Sequence, residues 1–135
     1  MKVTTAEQPS RLKFPFLRDK RYPVHKVAGW LEPYLRAIVE ATQPEKIILF
    51  GSYAYGAPTE HSDFDLLVVR RGISSSKASN MELRFAIRDV DAPPASFTFL
   101  SQTPEGLAEK ISSGSFIYTE IIDKGLEIYA AKEDQ

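Results

Sequence analysis

The sequence predicts a small α/β domain, a mixed β-sheet flanked by helices, on three observations. Segments with helical spacing alternate with short strand-like runs. One of those runs, Lys46 to Phe50, is continuously apolar and bounded by turn signals. The length, 135 residues, suits one compact domain with one core.

Residues 1–22 read as a basic and aromatic extension, with the domain proper over residues 23–135. Arg11, Lys13, Arg18, Lys20 and Arg21 meet only Asp19, and Phe14, Phe16 and Tyr22 are interleaved among them. The expectation is an arm docked by its aromatics. The same pattern also suits contact with nucleic acid or with a partner protein, and the sequence neither supports nor excludes a homo-oligomer formed through it. Val24, Val27, Ala28 and Leu31 recur at helical spacing, as do Tyr34, Leu35, Ile38 and Ala41, with Pro33 between the two sets. Because proline breaks a helix interior, the reading is a short helix to about Leu31 and a second from Pro33 to about Ala41. Gln43-Pro44 ends it.

Lys46 to Phe50 is expected to be a central strand buried on both faces. Gly51-Ser52 breaks it, and Asp63 to Arg70 is the second strand. Residues 75–89 suit a helix, with Met81, Phe85 and Ile87 as its candidate apolar contacts. Ser96 to Leu100 follows as a third strand, Phe97 and Phe99 on one face. Thr103-Pro104-Glu105 opens a helix to about Ile111 as N-cap and first turn. A last helix runs from about Ser115 to Gly125, and Leu126 to Ala130 closes the sheet. There are no internal repeats.

Composition narrows the chemistry. With no cysteine, disulfide frameworks and thiolate metal sites are excluded. Seventeen basic against eighteen acidic side chains leave a net charge of −1, so the molecule as a whole has no footprint for non-specific nucleic-acid binding. Any anion must be met locally. The opening residues hold no apolar leader segment, and the runs Ile47 to Phe50 and Leu66 to Val69 are too short to span a bilayer. The expectation is a soluble, cytoplasmic protein with no membrane contact.

The informative stretch is GSYAYGAPTEHSDFD, residues 51–65. Side chains two apart on a strand share a face, so Asp63 and Asp65 converge, their Cα atoms about 6.6 Å apart. Adjacent like charges call for a cation, and oxygen-only ligation selects a hard ion such as Mg²⁺. Gly51 and Ser52 follow the buried strand, where free backbone N–H groups and a missing Cβ admit a phosphate. A phosphate cradle and a carboxylate pair at the two ends of one strand-loop-strand unit suit phosphoryl or nucleotidyl transfer from a nucleoside triphosphate.

This stretch resembles the signature of the minimal nucleotidyltransferases of the DNA polymerase β-like superfamily: Gly-Ser, ten residues, then Asp-x-Asp, met by Gly51, Ser52, Asp63 and Asp65. The similarity runs from about Pro33 to Ala130 and takes in PEKIILFGS, SDFDLLVV, TPEGL and GLEIYA. It implies the polymerase β-like fold, an Asp63/Asp65 pair holding Mg²⁺-nucleotide, and Gly51 and Ser52 on the phosphates. It further implies transfer of AMP from ATP to an acceptor hydroxyl, with the chain as an antitoxin that modifies an all-helical HEPN-type ribonuclease toxin.

Two positions depart from the family pattern. Counting back from Thr103-Pro104-Glu105 puts Thr98 where family enzymes carry a third carboxylate, and a neutral hydroxyl neither balances a second Mg²⁺ nor serves as an efficient base. Asp89 and Asp91 are the nearest replacements, though their ordinary roles are at a helix end and in a loop. Tyr55 stands where relatives place an arginine, which predicts a weaker hold on phosphate. The alternative function is therefore a catalytically weakened module that binds nucleotide or partner stoichiometrically. His61 is expected to be solvated, Tyr53 and Tyr55 to pack, and His25, Trp30 and Tyr34 to serve packing alone.

Overall fold

The structure, a computed structural model, describes residues 12–131. A single 3-10 turn, Pro23–Val27, runs directly into helix α1, Ala28–Thr42. Strand β1, Lys46–Phe50, is followed by the one-turn helix α2, Ser52–Tyr55, and by β2, Phe64–Val69. Helix α3, Ser76–Ala86, crosses over to β3, Phe97–Gln102. Helices α4, Pro104–Ser112, and α5, Phe116–Lys124, then lead to β4, Leu126–Ala130. The sheet is mixed, in the order β3-β2-β1-β4, with β2 and β3 parallel and the other pairs antiparallel.

Alternation along the strands divides the interior. Ile47, Leu49, Phe64, Leu66, Val68, Leu126 and Ile128 pack with α1 and Leu83 of α3 on one face. Ile48, Phe50, Leu67 and Val69 meet Leu107 of α4 and Ile121 of α5 on the other. The central strands, covered on both sides, therefore read as continuous apolar runs.

Two sequence expectations are corrected. The predicted break at Pro33 is absent, and α1 passes straight through it. An interior proline costs about 3 kcal/mol. Against that, Ala28, Leu31, Tyr34, Leu35, Ile38 and Val39 are buried along one stripe, each large apolar side chain contributing roughly 1.5–3 kcal/mol. Gly29, whose carbonyl loses its bond, is exposed to water. The second correction concerns α3. Its buried positions are Ser79 and Leu83, one helical turn apart, whereas Met81 and Phe85 share the opposite face and are 64% and 65% exposed. Ile87 does pack against the core. The Ser75 hydroxyl caps this helix from Ala78 N, as Thr103 caps α4 from Gly106 N.

The described part of the N-terminal extension is built into the core rather than laid over it. Leu17 is fully buried, Phe14 meets the ring of Tyr129 at 6.1 Å, and Arg18 pairs with Glu32 of α1. Phe16 remains 40% exposed. Residues 1–11, which include Arg11, lie outside the described residues. Among the described residues no helix is long and apolar enough to cross a membrane.

Candidate active site

β1 ends where the chain must turn sharply, and Gly51 has φ +77°, a left-handed value that favours glycine. Space presses the same way: a Cβ built there would run into the Asp65 carboxylate, which would have to shift. The Asp65 carboxylate therefore lies directly against the Gly51 backbone. The sheet register explains the meeting, because Asp65 pairs with Phe50 across the β1–β2 ladder and with Thr98 across the β2–β3 ladder.

After Gly51 the chain makes a single turn. The Gly51 carbonyl accepts from the N–H groups of Ala54 and Tyr55, and that of Ser52 from Gly56. The amides of Ser52 and Tyr53 precede these bonds and are not consumed by the turn. Tyr53 anchors it, buried and stacked on Phe64 at 4.6 Å. Tyr55 does not pack in this way: it is 39% exposed, with the Lys124 ammonium 5.9 Å from its ring centroid. A cation thus approaches the turn from α5, 69 residues further along the chain, a neighbour that no local signal in the sequence reveals.

Asp63 is exposed just before β2 and Asp65 is half-buried within it. The Thr98 hydroxyl donates to Asp63 Oδ2 at 3.2 Å. Burial raises the Asp65 carboxyl above its usual range; the Thr98 hydroxyl pulls it down and the charge of Asp63 pushes it up again. The donor set fits a divalent cation, since two carboxylates are hard oxygen ligands and a cation would relieve the charge that burial and Asp63 disfavour.

Gly51, Ser52, Asp63, Asp65 and Thr98 are thus gathered at one end of the sheet, while other candidates are not. Among the described residues no cluster of three or more carboxylate or imidazole groups could hold a metal. Asp89 is turned to solvent with Arg88, and Asp91 is exposed. His61 sits in the loop with its side chain 88% exposed. Trp30 and Tyr34 both donate to the Pro93 carbonyl, tying down the segment that leads into β3. Trp30 also meets Phe64 edge-on at 5.2 Å. These two aromatics position the strand that carries Thr98.

Compared with known families, residues 35–133 match the family model described as Polymerase beta, Nucleotidyltransferase. No curated protein matches the chain.

Proposed function

From the premise that the chain belongs to the polymerase beta nucleotidyltransferase family, we propose that it transfers a nucleoside monophosphate, AMP from ATP, to an acceptor hydroxyl. The observation that carries this reading is the contact between Gly51 and Asp65, which sets a phosphate-admitting turn against a carboxylate pair. In the reaction the acceptor hydroxyl oxygen forms a bond to the α-phosphorus and its proton passes to solvent, the bond from that phosphorus to the oxygen bridging to the β-phosphorus breaks, and pyrophosphate leaves.

The residues divide the work. Gly51 lets the phosphates approach the backbone, while the Ser52 and Tyr53 amides and the Ser52 hydroxyl are the donors offered to them. Asp63 and Asp65 would hold Mg²⁺, which when bound neutralises phosphate charge. Thr98 steadies Asp63 through its hydroxyl. The resemblance to minimal nucleotidyltransferases supports a HEPN-type toxin as the protein that bears the acceptor hydroxyl.

One observation favours a second reading. Thr98 occupies the place beside the acids that a third carboxylate would need, so among the described residues the acceptor proton has no base there besides the two carboxylates assigned to the cation. On that reading the domain binds nucleotide or partner without turnover. Incubation with labelled ATP, Mg²⁺ and the partner protein separates the two. Label on the partner with wild type and none with Asp63→Asn supports transfer; retained ATP binding without label supports the binding module. Thr98→Asp should raise transfer by roughly 10²–10⁴-fold if the missing group is a base. An unchanged rate would mean that Thr98 is not the limiting position.

A further inference from the structure

The basic arm leaves one surface that the proposed reaction does not use. Lys20, Arg21, His25 and Lys26 line a depression of about 380 Å³ whose opposite wall is Gly56 and Pro58. Those two residues belong to the loop between the Gly-Ser helix and Asp63, and the 3-10 turn carrying His25 and Lys26 packs against that helix. The depression therefore borders the C-terminal end of the one-turn helix that Gly51 opens.

Its charge is positive and partly uncommitted. Arg21 is held by Asp19 through bonds of 2.7 to 3.2 Å, which bring the Asp19 carboxyl down to about 2, and it lies over the Tyr22 ring. Lys20 and Lys26 are exposed and have no ion pair among the described residues. His25 Nδ1 donates to the Tyr22 carbonyl at 2.9 Å, leaving Nε2 as the nitrogen available to a ligand. Among the described residues no carboxylate lines the depression. Two ammonium groups beside an imidazole, in a hollow of small-ligand size, suit a phosphate group better than a singly charged carboxylate.

We propose that this depression is a second phosphate subsite, distinct from Gly51 and Ser52, that takes the terminal phosphate group of a second ligand. The site does not rest on the transferase reading. The phosphate belongs either to a small phosphorylated molecule or to the end of an RNA strand.

The test titrates the full chain with inorganic phosphate and, separately, with a phosphate-terminated RNA dinucleotide, following the ring signals of its two histidines by NMR. The His25 signals should move saturably while those of His61, which lines a different hollow, stay in place. Lys20→Ala with Lys26→Ala should weaken binding about tenfold, both side chains being exposed and without an ion pair among the described residues. Asp63→Asn should leave the His25 response intact, so failure of the transferase reading and failure of the subsite are told apart. Tighter binding of the dinucleotide than of phosphate assigns the strand; equal binding assigns the small molecule. An unmoved His25, a response lost in Asp63→Asn, or undiminished affinity in the lysine variant overturns the proposal. So does a glutamate-rich peptide that binds there more tightly than phosphate.

Discussion

At the scale of single residues, Gly51 and Asp65 are in opposition, one demanded by shape and the other tolerated for charge. Gly51→Ala meets both a left-handed backbone and the Asp65 carboxylate, so it should cost roughly 1–3 kcal/mol in denaturant unfolding. Metal-dependent nucleotide binding should be lost with it. Asp65→Asn should do the reverse for stability. Because burial raises the folded-state pKa of Asp65, the folded chain keeps that proton to a higher pH than the unfolded chain does. Stability from this group is full below the ordinary carboxylate range and is lost as pH rises through the folded pKa. The asparagine variant should therefore melt higher than wild type at pH 7, with the gap closing in acid, as thermal scans across pH would show. A gap that widens in acid would contradict the sign.

At the scale of elements, the helices show where local rules yield to packing. Pro33→Ala restores one backbone bond to the Gly29 carbonyl, and should stabilise α1 by about 1–2 kcal/mol after the loss of proline's restriction on the unfolded chain. A urea midpoint that falls instead would show that the half-buried ring packs better than an alanine. Gly125 makes the complementary case. Its φ is −72°, so no backbone strain calls for glycine, yet a Cβ would lie 2.5 Å from the Ile121 carbonyl and 2.6 Å from Ile48 Cγ2. Gly125→Ala should cost about 1–3 kcal/mol by forcing α5 away from β1. The glycine that the sequence marks as a helix end is required by close approach.

At the scale of the whole molecule, the arm and the domain stand or fall together. Leu17 is fully buried in the same cluster as α1 and the sheet, so Leu17→Ala should cost about 2–5 kcal/mol, as a core substitution would. A change below about 0.5 kcal/mol would mean that the arm is detachable. The reading of the paired acids makes a matching claim: Mg²⁺ with ATP should raise the melting temperature of wild type and not of Asp63→Asn. Equal shifts in both proteins would place the nucleotide elsewhere.

Much of this was legible along the chain. Strand-length apolar runs, the Thr103-Pro104 helix start and the spacing of Gly51, Ser52, Asp63 and Asp65 are local patterns, and local patterns fix period and motif without a partner. The alternation of Phe97, Thr98 and Phe99 even placed Thr98 on the face opposite the buried phenylalanines. What the chain could not disclose depended on neighbours distant in sequence. Burial energy summed along α1 overrode Pro33, and the choice of buried face left Met81 and Phe85 outside. Leu17, one apolar residue among charges, became core only because α1 and the sheet left space for it. Sequence determined which groups this protein owns and how they are spaced, since both follow from covalent order. Tertiary structure alone decided that Asp65 rests on Gly51, that Thr98 bonds Asp63 and that Lys124 approaches Tyr55, because those contacts arise from strand register and helix packing.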